Sequence, residues 1–93
     1  MSLEEQDQIL GRLTRQAREC NSRVVALQHK VLDYSILFDR TAAGLRLFYR
    51  SQGRHDFDAA HWPSASDIES TLGELESERQ QLATLQEQIG LIR

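Results

Sequence analysis

From Leu10 to Phe48 apolar side chains recur three and then four residues apart without a break: Leu10, Leu13, Ala17, Cys20, Val24, Leu27, Val31, Tyr34, Phe38, Thr41, Leu45 and Phe48. A mean spacing of 3.5 residues keeps one stripe of an α-helix turned toward a partner helix. This heptad seam constrains the fold more than any other feature of the chain. It specifies a surface for association and no reaction, and no strand pattern competes with it.

The first helix is expected from about residue 3 to residue 50, roughly 70 Å long at 1.5 Å per residue. Gly11 and Gly44 lower helix propensity locally without ending it, whereas Ser51-Gln52-Gly53 supplies a stop signal. A connector spans about 51–65. Pro63 turns the preceding residue away from helix, and Ser66 stands three before Glu69 at capping-box spacing, with Ser64 and Asp67 as a second candidate pair. A second helix follows over about 66–92.

That second helix has its own seam at Ile68, Thr71, Leu75, Glu78, Leu82, Leu85, Ile89 and Ile92. Folding it back antiparallel is expected to set Phe48 against Ile68, Leu45 against Thr71, Thr41 against Leu75, Phe38 against Glu78, Tyr34 against Leu82 and Val31 against Leu85. Most of these layers are apolar, and Glu78 is the awkward one. In this register the second helix runs out near Val24, so residues 1–23 overhang with Leu10, Leu13 and Ala17 presenting apolar faces.

A second stripe, Val25, Leu32, Ile36, Ala43 and Leu47, lies on the back of the first helix. A helix wetted on its back carries charges at most such positions, while one sandwiched between neighbours is apolar on both sides. Leu10, Leu13, Ala17, Val25, Leu32, Ile36, Ala43 and Leu47 are therefore the expected oligomer or partner interface.

Composition removes several function classes. At 93 residues the chain makes one domain, 1–93, with a modest core, and 40% hydrophobic with 27% charged residues fits an ordered helical protein. No apolar run approaches the roughly 20 residues that span a bilayer, and the acidic start, Ser2-Leu3-Glu4-Glu5, is unlike a signal peptide. Cys20, the one cysteine, sits on a seam position and is read as a packing residue in a reducing, cytoplasmic setting.

Residues 1–54 hold nine Lys/Arg against six Asp/Glu, and 55–93 hold two against eight, giving about +3 and −6. The basic residues Arg12, Arg15, Arg18, Arg23 and Lys30 are scattered around the helix and lack interleaved aromatics, so no nucleic-acid partner is expected.

Within the connector, His55, Asp56, Asp58 and His61 are metal-ligand types, but their spacing fits no common zinc pattern, and no metal or cofactor is expected. Phe57 and Trp62 are expected to seal the hairpin tip, Trp62 as a hydrophobic staple, or to form a recognition site if exposed. His29 falls on the outer face. Phosphate loops, nucleophile elbows and paired histidines on a helix are absent, so no catalytic residue is assigned and the chain is not expected to be an enzyme.

The expected fold is all-α: an antiparallel two-helix coiled-coil hairpin with a long first helix, two copies of which form a four-helix bundle. The expected function is a protein–protein interaction or assembly module that oligomerises through the first helix. The alternative is a helical export or secretion chaperone that holds a client helix on the exposed stripe.

Overall fold

The computed structural model describes residues 2–51 and 62–93. Within them the chain is an all-α hairpin of two helices packed on each other, α1 (Leu3–Ser51) and α2 (Ala65–Ile92). The observed limits lie within a residue or so of the expected ones. The rod measures 74 × 20 × 16 Å, its long dimension set by the 49 residues of α1.

Both helices start on serine caps. The Ser2 hydroxyl accepts from the Glu5 amide at 3.1 Å, and Glu4 and Glu5 lie in the first turn, where negative charge suits the helix dipole. At α2 the cap is Ser64 rather than Ser66. Its hydroxyl accepts from the Asp67 amide, and the Asp67 carboxylate accepts from the Ser64 amide, each at 3.0 Å. Pro63 explains the choice: it holds the chain extended immediately before Ser64, whose own φ, ψ of −74°, 162° is the extended geometry a cap requires. Replacing Ser64 with Ala is expected to cost about 1 kcal/mol in urea denaturation, whereas Ser66→Ala should cost almost nothing because Ser66 caps nothing.

The helices are antiparallel as expected, but their register is not the expected one. Tyr34, not Leu45, meets Thr71, their hydroxyls 3.2 Å apart. Cys20 and Arg23, not Phe38, meet Glu78. Relative to expectation α2 is slid by about two heptads toward the start of α1. The physical reason lies in the two polar residues of the α2 seam. Against Phe38 the Glu78 carboxylate would be desolvated without a partner, which is costly; in the observed register Glu78 gains a thiol and a guanidinium, and Thr71, whose hydroxyl donates to the Asp67 carbonyl of its own helix at 2.9 Å, gains the Tyr34 phenol as well.

This shift relocates the core. Leu13, Cys20 and Leu85 form its centre, with Ile9, Ala17, Leu82, Ile89 and Ile92 packed around them, and Val24, Thr71 and Leu75 are buried farther along. The expected overhang of residues 1–23 is therefore corrected: Leu13 and Ala17 pack inside the hairpin, and Leu10 is half-buried. The part of α1 that outruns α2 is its C-terminal end. There Leu45, Leu47, Phe48 and Tyr49 are exposed.

Candidate functional site

Three features could carry function: a polar node inside the helix interface, the junction where α2 begins, and the back of α1. The node is built around Cys20, whose side chain is fully buried. Its sulfur lies 3.2 Å from both the backbone carbonyl and Oε2 of Glu78, and Arg23 Nε lies 3.1 Å from the same Oε2. Burial first, and then the Glu78 hydrogen bond and charge, push the thiol above its ordinary value of 9.0, so it is protonated at neutral pH. The expected packing role for Cys20 is thus joined by a donor role toward Glu78.

Glu78 is pulled the other way. Hydrogen bonds from Cys20 and then Arg23 favour its ionised form and hold it below its ordinary 4.5. Asp67 is held below its ordinary 3.8 by the Ser64 backbone amide, by the Ser64 hydroxyl, and by the charge of Lys30. A carboxyl that is more acidic in the folded chain stabilises it fully above the ordinary value, and this contribution is lost as pH falls through the lower folded value. The thermal midpoint should therefore drop on acidification from about pH 5 to about pH 2, and Glu78→Gln should shrink that drop. A variant with the same acid profile as the parent would rule out the Glu78 contribution.

At the junction, Trp62 packs edge-on against Phe38, ring centroids 4.8 Å apart at 81°. Trp62 therefore ties the start of α2 to the C-terminal part of α1. Beside it a shallow groove of about 520 Å³ runs between Lys30, Tyr34, Trp62, Asp67 and Thr71. The groove is open and carries charge of both signs. Phe57, the other expected tip residue, and the connector residues His55, Asp56, Asp58 and His61 lie outside the described residues. Among the described residues no group of three or more His, Cys, Asp or Glu side chains is placed to hold a metal ion.

On the back of α1, Val25 is 43% exposed, Leu32 56% and Ile36 40%, with Ala43 and Leu47 exposed farther along. His29 is exposed beside them. Val25, Leu32 and Ile36 do not belong to the hairpin core, which lies on the opposite face of the helix.

No family model, curated protein or solved structure matches the chain. Its residues and their arrangement are thus the grounds for a functional reading.

Sequence reasoning missed the Cys20–Arg23–Glu78 node and the Phe38–Trp62 contact. A signal for the first was present: a carboxylate on an apolar seam calls for a donor opposite, and Arg23 stands beside the small Cys20. For the contact there was no comparable signal, since aromatic pairing across a connector depends on the register. Among the described residues no helix is long and apolar enough to cross a membrane.

Proposed function

We propose that this chain is a non-enzymatic assembly module in which a second copy covers the back of α1, the two hairpins forming a four-helix bundle. The observation that carries this reading is the exposed row Val25, Leu32 and Ile36 on the face opposite the hairpin core. Exposed apolar side chains repeated along one helix face are kept where a partner buries them.

Multi-angle light scattering over a concentration series tests this. A species of twice the 10.7 kDa chain mass is expected. A chain that stays monomeric throughout would overturn self-assembly and favour the alternative, a chaperone holding a client helix on the same stripe.

A further inference from the structure

Resting on that reading, we infer that two copies pair through the backs of their α1 helices in antiparallel orientation, with Ile36 meeting its own copy at the twofold axis. The stripe itself has this symmetry. Val25 and Leu47 stand eleven residues before and after Ile36, and eleven residues is close to three whole helical turns, so all three lie on one line along the helix. In an antiparallel pair centred on Ile36, Val25 of each copy faces Leu47 of the other, and the central layer is isoleucine on isoleucine. Leu32 and Ala43 fill the layers between, about 4.5 Å apart along the axis.

Charge selects the same pairing. Asp33 and Arg40 are exposed and lie seven residues apart, hence along the same edge of the stripe. Antiparallel symmetry brings that edge against its own copy. Because Asp33 stands three residues before Ile36 and Arg40 four after it, each Asp33 arrives within one residue of the level of the opposite Arg40, and the contact occurs twice. One surface thus supplies both signs, as an isologous interface requires. A parallel pair would instead bring His29 and Arg40 to the level of their own copies and align the helix dipoles.

Disulfide trapping in a Cys20→Ser background reads the arrangement directly. Ile36→Cys is expected to cross-link to itself; Val25→Cys is expected not to, but to cross-link with Leu47→Cys when the two variants are mixed. Light scattering on the parent establishes first whether a dimer exists. A monomer there overturns both the self-assembly reading and this one. A dimer in which Val25→Cys cross-links to itself as fast as Ile36→Cys overturns the antiparallel orientation alone. The charge pair gives a second readout. Asp33→Arg should weaken self-association by about tenfold, as two symmetry-related attractions become repulsions, and Asp33→Arg with Arg40→Asp should restore it. No recovery in the double variant would remove the Asp33–Arg40 contact and the register built on it.

Discussion

Leu85→Asp is expected to abolish the fold. Leu85 sits with Leu13 and Cys20 at the centre of the core, with the neighbouring leucine and isoleucine side chains of α2 around it. Truncating such a leucine costs about 2–5 kcal/mol through lost burial and the cavity left behind. Aspartate adds the desolvation of a carboxylate, and none of the side chains of that cluster is a cation. Against a total stability of roughly 5–15 kcal/mol for a domain of ordinary size, less here because the core is small, the sum leaves little or no folded population. Far-UV circular dichroism should fall to a largely unfolded signal. Leu91→Asp is the control, since Leu91 is 81% exposed and the same chemical change there should leave the spectrum intact. Equal losses from both would mean that the core is not where the structure puts it.

Ile36→Asp should behave in the opposite way. Ile36 contributes little to the hairpin, so the helical signal is retained, while the dimer is lost. If two copies meet at Ile36, the variant places two carboxylates against each other in a layer that had been apolar, at a cost of order several kcal/mol. That corresponds to a dissociation constant raised at least a hundredfold. Light scattering and circular dichroism on the same sample separate the outcomes. A monomer with parental helicity supports two independent faces on α1; a collapse of helicity alongside dissociation would mean that the faces are energetically one.

The helices, their limits and their antiparallel arrangement were legible in the sequence because they depend on local periodicity and punctuation. Ser51-Gln52-Gly53 and Pro63 are strong signals wherever they stand. The register was not legible by the same means. Sliding one heptad seam along another by whole heptads leaves apolar residues facing apolar residues, so apolar layers alone nearly tie between registers. Polar seam residues break the tie. Thr71 and Glu78 find Tyr34, Cys20 and Arg23 in only one of the alignments, and a count of apolar layers gives that complementarity no weight. The candidate interface divides along the same line. Val25, Leu32 and Ile36 stand exposed as their pattern predicted, because their position depends only on which face the seam occupies. Leu13 and Ala17 moved into the core because theirs depended on the register.

The capping choice shows the same limit on a smaller scale. Ser64 with Asp67 and Ser66 with Glu69 are equally good by spacing. Only the backbone direction imposed by Pro63, together with the anchoring of Trp62 on Phe38, decides between them.

The placement of the core has a consequence for how the chain folds. In a hairpin the contacts nearest the turn close the shortest loops, and among the described residues these are the aromatic pair Phe38–Trp62 and the Tyr34–Thr71 hydroxyls, the latter 37 positions apart in sequence. The Cys20–Glu78 contact is separated by 58 positions, and the Leu13–Leu85 packing lies beyond it. Zippering from the turn therefore reaches the Leu13–Cys20–Leu85 cluster late, after most of the chain has been ordered. Once formed, the rod holds this buried cluster near its two free ends, so slowly exchanging amides are expected around Leu13 and Leu85.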